Sequence, residues 1–451
     1  MTFRLRSVQV HSAPALAQQV GFSHVESILD MDMTKDTNVM IVGGGIGGLV
    51  LALSLHQIGI HCRVYEGVRE LKPLGAGINL LPHAVRELDE MGLLQALDEV
   101  GIRTQDASYF NHHGQLIYRE VAGTAAGYAW PQFSIHRGDL QMLLYKAVLE
   151  RLGPDSVVTG HKLVSVTQDN TGVTASFKDA DGNSLPAVHA NLLIGCDGIN
   201  STVRKQFYPN EGDPVYSGLT VWRGVTPHKP FLSGADTIRA GWMDVGKLMV
   251  YPVRKNIDAQ GNQLMNWVAT LQRPKPTSYD WNGQAKLEDF FEPYSSWKFD
   301  WLDIPAMLQK TERYMVYPMV DRDPVPTWTF GRVTLLGDAA HPMYPRGSNG
   351  AGQSILDARY MAGCFKRLGT TEVALQDYDK ARVPATGKVV LMNRANPPDA
   401  ILRVVYERTG GKRFNKIEDV ISATELQEIL DSYKAVAGFQ IKELAKRPSM
   451  V

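Results

Sequence analysis

The sequence has little cysteine and no long apolar run. Cys62, Cys196 and Cys364 are the three cysteines among 451 residues, and none belongs to a CxxC pair. An odd, widely spaced set argues against a disulfide framework and a structural zinc site. We therefore expect no metal, and we expect a reducing compartment such as the cytoplasm. No apolar stretch reaches the roughly 18 residues that span a bilayer, so stable membrane insertion is not expected.

Net charge is absent as well. The 47 lysines and arginines balance 47 aspartates and glutamates, which leaves a formal net charge of zero. Such a protein has no long-range field to attract phosphate backbones, and we expect no nucleic-acid partner. The GxSxG and HExxH signatures and a Walker loop are also missing, which argues against α/β-hydrolase, zinc-protease and P-loop chemistry. The length of the chain fits two or three domains.

Residues 1–37 form a leader before the first predicted strand. Arg4 and Arg6 are basic, and no acidic residue occurs before Glu26. Organellar transit peptides share this composition, whereas chain termini in general tolerate disorder. Organellar targeting and a flexible leader on a cytoplasmic protein remain alternatives.

A glycine-rich turn follows the leader. Residues 38–42 predict a short buried strand, residues 49–58 a helix that Gly59 ends, and residues 60–65 a second strand that ends at Glu66. The glycines between the first strand and the helix are Gly43, Gly45 and Gly48. The first suits a tight turn, the second a close approach to pyrophosphate, and the third close helix packing. An acid 21 residues beyond the second glycine suits ribose hydroxyls. The pattern indicates a dinucleotide-binding unit that fits a flavin or a nicotinamide.

Two later predicted strands end in glycine and aspartate. The apolar stretch from Leu192 breaks at Asp197, and the strand 332–336 breaks at Asp338. A side chain at the carboxyl end of a strand in an open α/β sheet faces the ligand crevice, although a turn or an N-cap is the alternative role for an aspartate. The loop at residues 345–352 is rich in glycine, which favours close backbone approach to a ligand.

These three motifs, in this order, resemble the signatures of the single-component FAD-dependent aromatic hydroxylases, the para-hydroxybenzoate and salicylate hydroxylase family. The likeness covers roughly residues 38–395 and includes residues 135–141, which are similar to a segment that contacts FAD in the family. Within the family, residues 130–137 and 317–324 are most similar to the monooxygenases of phenazine carboxylates.

The resemblance implies an α/β fold with a Rossmann-like FAD-binding domain, an inserted β-sheet substrate domain and a helical C-terminus. The predicted parts are an FAD-binding domain at 38–215 and 315–395, a substrate-binding sheet at 216–314 and terminal helices at 396–451. Alternating segments support the inserted sheet. Its predicted strands are 219–225, 247–252 and 264–271. We expect a monomer or a homodimer.

The family's cofactor contacts map onto matching residues. By resemblance, Glu66 would bind the adenosine ribose, and Arg137 and Gln141 would contact the ribityl and pyrophosphate region. Asp338 would hold the ribityl hydroxyls, and Asp197 would help to order the pyrophosphate and shape the route of the reduced nicotinamide. A solvent-exposed position is the alternative for the arginine and the glutamine.

The loop at residues 345–352 would lie beside the flavin ring. Its candidate reactive residues are Pro345, Gly347, Asn349 and Gly350, whose segment would offer backbone N–H donors. The resemblance implies that NADH or NADPH reduces the flavin and that O2 then forms a C4a-hydroperoxide, which hydroxylates a small aromatic or heteroaromatic ring, carboxylated or not. A flavin-dependent reductase or dehydrogenase on the same fold is the alternative.

Four residues are candidates for the substrate site. Trp222 and Tyr251 suit an aromatic pocket, with plain core packing as the alternative. Arg223 and Arg346 suit bidentate pairing with a carboxylate, with a structural role as the alternative. Arg346 departs from the apolar residue of the phenazine-type members. For His341, which follows the Gly-Asp motif, a structural role is expected, and no general base is assigned.

Overall fold

The computed structural model describes residues 39–276 and 283–451, so the predicted leader at residues 1–37 lies outside the described residues. The helices are α1 (Ile46–Gln57), α2 (Pro82–Glu90), α3 (Leu94–Val100), α4 (Arg137–Leu152), α5 (Thr202–Phe207), α6 (Ile304–Gln309), α7 (Gly350–Leu368), α8 (Glu372–Ala395), α9 (Ala400–Thr409), α10 (Ala423–Ala437) and α11 (Ile441–Lys446). Within the described ranges, no helix combines the length and apolarity needed to cross a bilayer.

The strands are shorter and more numerous. They are β1 (Val39–Val42), β2 (Cys62–Tyr65), β3 (Gly77–Leu80), β4 (Ile102–Arg103), β5 (Asp106–Phe110), β6 (Leu116–Val121), β7 (Phe133–His136), β8 (Val157–Val158), β9 (Lys162–Gln168), β10 (Val173–Lys178), β11 (Val188–Ala190), β12 (Leu192–Gly195), β13 (Val215–His228), β14 (Asp236–Trp242), β15 (Gly246–Arg254), β16 (Gln263–Gln272), β17 (Gln284–Ala285), β18 (Lys298–Phe299), β19 (Leu302–Asp303), β20 (Tyr314–Asp321), β21 (Thr329–Phe330) and β22 (Val333–Leu335).

A six-stranded sheet in the order β21-β22-β12-β1-β2-β8 carries the glycine-rich turn. Every neighbouring pair except β21 and β22 is parallel. Parallel strands end at one edge of a sheet, so the residues that follow β1, β12 and β22 meet there. The three predicted motifs, at Gly43, Asp197 and Asp338, begin at that edge.

Helices α4 and α7 pack on α1, which lies against the sheet. All eight residues from Gly48 to Leu55 are buried, because α1 has neighbours on several sides. The helix begins three residues earlier than the prediction, at Ile46, since Gly47 and Gly48 adopt the helical conformation. It ends before Gly59, whose φ of 71° suits a helix stop.

An eight-stranded sheet in the order β17-β20-β13-β16-β15-β14-β5-β6 forms the second body of the fold. The three predicted strands of the inserted sheet are present and longer than expected. The sheet also takes in β14 and β17, which the sequence analysis missed, and β5, β6 and β20, which lie wholly or almost wholly outside residues 216–314. These additions join the two predicted domains through shared strands, and the domain boundaries stay a prediction.

The C-terminal helices α9, α10 and α11 follow this sheet, and α9 contacts β14 and β5. Gly410 and Gly438 have φ values of 61° and 78° and end α9 and α10. The α/β architecture, the inserted sheet and the helical C-terminus are confirmed.

Candidate active site

The glycine-rich turn between β1 and α1 combines two packed glycines with an open one. A Cβ on Gly43 would collide with the carbonyl oxygen of Cys196, and one on Gly48 would collide with the carbonyl oxygen of Gly43. A Cβ on Gly45 would meet nothing within 4 Å. Gly45 is also the N-cap of α1 and no side chain caps this helix. The first-turn N–H groups therefore face open space, which suits a pyrophosphate.

Glu66 and Gln141 both bind the backbone of Gly44 in this turn. Glu66 accepts a hydrogen bond from the backbone N–H of Gly44 at 2.7 Å, and Gln141 Nε2 donates to the carbonyl oxygen of Gly44 at 2.8 Å. Arg137 is exposed at the start of α4, with its stem beside Gly75. The structure thus brings Glu66 and Gln141 to the predicted pyrophosphate site and leaves the Arg137 guanidinium at the surface.

Asp197 binds its own turn. Its carboxylate accepts hydrogen bonds from the Ser201 hydroxyl at 2.5 Å and the Thr202 N–H at 2.7 Å, at the start of α5. Burial raises the pKa of Asp197, and these hydrogen bonds oppose the rise. The carboxylate therefore orders the turn after β12, and a direct role toward cofactor stays a prediction.

Asp338 lies in the turn after β22 and is exposed. Its carboxylate accepts no hydrogen bond from the described residues, and a Cβ on Gly350 would lie 3.9 Å from its Oδ1. It stands beside the first turn of α7, open to a ligand hydroxyl. The neighbouring His341 is buried, with its Nε2 2.5 Å from Asp357 Oδ2, and Asp357 also accepts from Arg382 Nε at 2.7 Å. These contacts give His341 a structural role.

Residues 345–352 form what we call the flavin-side loop. A 3₁₀ turn over Pro345–Gly347 leads to Ser348, whose φ of 52° is left-handed, and then to Asn349, the N-cap of α7. The Asn349 side chain caps no helix amide, because its Oδ1 is 3.0 Å from His83 Nε2. The first-turn N–H groups of α7, which begins at Gly350, are therefore available to an anionic ligand edge.

The predicted substrate residues of the sheet occupy opposite faces. Trp222 stacks on Phe290, 5.6 Å between ring centroids, inside the second hydrophobic core. Arg223 Nη2 donates to the carbonyl oxygen of Gly77 at 3.2 Å, and a Cβ on Gly77 would lie 2.5 Å from the Tyr251 ring. Trp222, Arg223 and Tyr251 all lie outside the cleft described below. Their roles in substrate binding stay predictions, and these positions favour structural ones.

The guanidinium of Arg346 contacts Asp399 and Trp242 of the protein itself. Its Nη2 donates to Asp399 Oδ1 at 3.2 Å, and its guanidinium lies 5.8 Å from the centroid of the Trp242 ring. Asp399 also forms an ion pair with Lys247. This arrangement favours a structural arginine, and the carboxylate clamp predicted for Arg346 remains untested.

A cleft of about 510 Å³, counted to its open mouth, lies between the flavin-side loop, the eight-stranded sheet and the C-terminal helices. It is lined by Asn79, Leu81, Ala107, Tyr109, Glu120, Gln132, Thr237, Arg239, Gly347, Ser348, Pro398, Leu430, Tyr433, Lys434 and Phe439. The sequence analysis identified Gly347 among these and missed the aromatic and charged members.

Arg239 is the cation deepest in this cleft. It is 7% exposed, its guanidinium lies 5.5 Å from the centroid of the Tyr109 ring, and its Nη2 is 3.5 Å from the Ser348 hydroxyl. No carboxylate of the described residues lies within salt-bridge distance. Alternation along β14 was the signal available in the sequence, since Ile238 and Ala240 enter the core and Arg239 points the other way.

Comparisons with known proteins agree with this geometry. Residues 36–392 match the family model described as an FAD binding domain. The chain is 40% identical to phenazine 1,6-dicarboxylic acid hydroxylase PhzS of Lysobacter antibioticus over 81% of this chain and 91% of that protein. It is 30% identical to 6-hydroxynicotinate 3-monooxygenase of Pseudomonas fluorescens, over 81% and 92% respectively.

Solved structures show the same fold. A salicylate hydroxylase substrate complex aligns with a TM-score of 0.68 at 23% identity, over 92% of this chain and 99% of that one. Klebsiella pneumoniae R204Q HpxO complexed with FAD aligns with a TM-score of 0.69 at 21% identity, over 91% and 99%.

The chain belongs to the FAD-binding domain family of flavoprotein hydroxylases. The protein is an FAD-dependent aromatic monooxygenase that uses NADH or NADPH as reductant. The resemblance noted from the three sequence motifs is confirmed, and the alternative of a reductase or dehydrogenase is not supported.

Proposed function

We propose that the protein hydroxylates a small aromatic carboxylate in the cleft beside the flavin-side loop. The observation that carries this proposal is Arg239, a buried guanidinium with no carboxylate of the described residues within salt-bridge distance. Leaving a buried charge unpaired is costly, so a ligand anion is its natural partner. Relatives named for dicarboxylic acid and nicotinate substrates support an acidic ring.

We also propose how the chain holds its cofactor. The open space at Gly45 and the uncapped start of α1 would receive the pyrophosphate, with Glu66 at the adenosine ribose and Gln141 and Arg137 beside them. Asp338 would bind ribityl hydroxyls, and Asp197 would act through the turn that it orders. When bound, FAD supplies the activation of dioxygen.

The chain's own contribution to the reaction is positioning and exclusion of water. Backbone N–H groups from Gly347 to Gly350 would stabilise negative charge at the flavin edge that they face. Tyr109, Tyr433 and Phe439 would shield the cleft from water, which otherwise diverts reducing equivalents to hydrogen peroxide. Burial raises the pKa of Tyr109 to about 12 and raises that of Tyr433. Both phenols therefore stay protonated near neutral pH.

We propose a cytoplasmic enzyme, monomeric or homodimeric, with no nucleic-acid partner. The balanced charge and three free cysteines support this proposal. Amino-terminal sequencing of the natively expressed protein tests the alternative of organellar targeting, because an intact Met1 would exclude a cleaved leader. Light scattering of the same material gives the subunit number.

A paired substrate screen tests the proposed reaction. Aromatic carboxylates with one to three rings are each compared with the carboxamide of the same ring, and NADH and NADPH oxidation, O2 uptake and product mass are followed. We expect acids to stimulate cofactor oxidation and to gain one oxygen atom, and amides to do neither at the same concentration. Equal stimulation by acids and amides would contradict the role of Arg239, and stimulation without an oxygenated product would contradict hydroxylation.

A further inference from the structure

Asp399 connects three segments that are far apart in the sequence. It lies between the predicted end of the FAD-binding domain and α9, and it is 0% exposed. One carboxylate oxygen accepts from Arg346 of the flavin-side loop at 3.2 Å, and the other forms an ion pair with Lys247 of β15. Although Asp399 occupies the N-cap position of α9, its side chain caps no helix amide. Capping therefore does not account for this buried acid.

The two partners of Asp399 belong to the two walls of the cleft. Lys247 pairs with Gly241 across β14 and β15, and Arg239 lies two residues earlier on β14. Arg346 immediately precedes Gly347 in the opposite wall. A carboxylate shared by Lys247 and Arg346 thus links the sheet that carries Arg239 to the loop that carries the N–H donors.

Charge around the inner end of the cleft is unequal. Arg239 lines the cleft, Lys247 and Arg346 lie behind its lining and both pair with Asp399, and the lining residues Glu120 and Lys434 pair with each other. Burial acts to raise the pKa of Asp399, but Lys247 and Arg346 outweigh it, so the carboxyl group has a pKa below its usual value and is ionised. Lys247 and Arg346 thus have an ion-pair partner in Asp399, whereas Arg239 has no carboxylate of the described residues within salt-bridge distance and is accessible to a ligand anion.

We propose that Asp399 is a positioning residue that sets the distance between the flavin-side loop and Arg239. The expected effect of Asp399 on catalysis rests on the proposed function. Its expected effect on the flavin-side loop rests only on its contacts with Arg346 and Lys247. Loss of the carboxylate removes the ion pairs of Arg346 and Lys247 together, so the flavin-side loop and the sheet are no longer linked through Asp399. Reacting groups that are misplaced by even a small distance react less efficiently.

Other contacts should preserve the fold around the loop when Asp399 is changed. A Cβ on Gly347 would collide with the Tyr433 hydroxyl and with Asn393 Oδ1, which pack directly on the loop backbone. Tyr433 donates to Asn393 at 2.9 Å. Replacement of Asp399 should therefore loosen the loop locally and leave the fold intact.

Hydrogen exchange of Asp399→Asn, with Glu87→Gln as the matched control, tests the effect on the loop. Glu87 is also a fully buried carboxylate paired with arginine, 3.2 Å from Arg359, but it lies on α2 outside the cleft lining. In Asp399→Asn we expect amides of residues 342–350 to exchange at least about fivefold faster. In Glu87→Gln these amides should exchange at the wild-type rate, even if the melting temperature falls by a similar amount. This readout needs neither flavin nor substrate, so it remains decisive if the proposed reaction is wrong.

Coupling of cofactor oxidation to hydroxylation tests the catalytic consequence. Asp399→Asn should release more hydrogen peroxide and lower the fraction of NAD(P)H that yields product by about threefold, while Glu87→Gln keeps the wild-type fraction. If Asp399→Asn does not fold, Arg346→Met replaces it, because the pair of Lys247 and Asp399 survives there, and the same changes are expected. Wild-type exchange at residues 342–350, or equal uncoupling in Glu87→Gln, would overturn the proposal.

Discussion

The guanidinium of Arg239 lies over the ring of Tyr109, 5.5 Å from its centroid. The two residues come from neighbouring parallel strands and are direct register partners in β14 and β5. A cation held over an aromatic face keeps its outer N–H groups available. The pair therefore presents a fixed, charged donor to the cleft, and the predictions below start from it.

Removal of the Arg239 guanidinium should weaken the binding of acidic substrates and leave the binding of neutral substrates unchanged. We expect Arg239→Gln to raise KM for an aromatic carboxylate by about 10- to 100-fold, because a charge-assisted hydrogen bond is lost, and to leave KM for the matching amide unchanged. Steady-state kinetics with both substrates measure the difference. Arg346→Gln is the matched variant, and its tie to Asp399 favours equal effects on the two substrates. A selective effect in Arg346→Gln would instead support the clamp predicted from the sequence.

Asp338→Ala should purify with little flavin. The exposed carboxylate has no hydrogen bond to the described residues, so its removal should change the stability of the apoprotein little. It should weaken FAD binding strongly, because the ribityl hydroxyls lose their partner. Flavin absorbance per protein and the melting temperature of the apoprotein measure the two effects. Asp155→Ala, an exposed acid after α4, should keep its flavin. Wild-type flavin content in Asp338→Ala would contradict the assigned role.

Substitutions of two glycines in the first turn, Gly45 and Gly48, should have different effects on stability and on FAD binding. A Cβ on Gly45 meets no protein atom within 4 Å, so Gly45→Ala should leave the apoprotein as stable as wild type and weaken FAD binding. A Cβ on Gly48 collides with backbone, so Gly48→Ala should lower the free energy of unfolding by about 1–3 kcal/mol. Chemical unfolding of the apoproteins and flavin titration separate the two outcomes. Full FAD affinity in Gly45→Ala would show that the open space is not the pyrophosphate site.

Acid should destabilise the protein through His83. Burial lowers the pKa of His83 to about 3 in the folded state, whereas an unfolded histidine titrates near 6.5. Between these values the unfolded chain binds a proton that the folded chain does not, so stability falls as pH falls, by up to about 1.4 kcal/mol per pH unit. Above pH 6.5 this histidine has no effect on the pH dependence.

Urea unfolding between pH 4 and 7 measures this effect. His83→Gln keeps a hydrogen-bonding side chain beside Asn349 and should flatten the slope in that window. An unchanged slope in His83→Gln would assign the acid sensitivity between pH 4 and 7 to other groups. Asp357 acts at lower pH. Its pKa is lowered because His341 and Arg382 outweigh its burial, so its contribution is lost only as pH falls below about 3.9, the value of an unfolded aspartate.

The nucleotide-binding half was predictable because its motifs are local. The strand, glycine turn, helix and acid from residue 39 to Glu66 follow one another along the chain, and neighbouring residues specify each step. The ends of helices were predicted less accurately. Helix α1 begins at Ile46, within the glycine-rich turn and before the predicted residue 49, because packing against α4 and α7 stabilises the helical conformation there. The strand β14 was missed because its alternation is short and contains Arg239.

The dinucleotide-binding turn and the order of the three motifs are properties that the amino-acid sequence alone specifies, since spacing along the backbone dictates where each glycine and acid lies. The choice of FAD over a nicotinamide came from the resemblance of these motifs to a known family. The cleft depends on tertiary packing. Arg346 meets Asp399 across 53 positions, Arg239 meets Ser348 across 109, and Lys247 meets Asp399 across 152. An arginine stays without an ion-pair partner when no acid from a distant segment packs beside it in the folded core. A local sequence pattern does not contain this information.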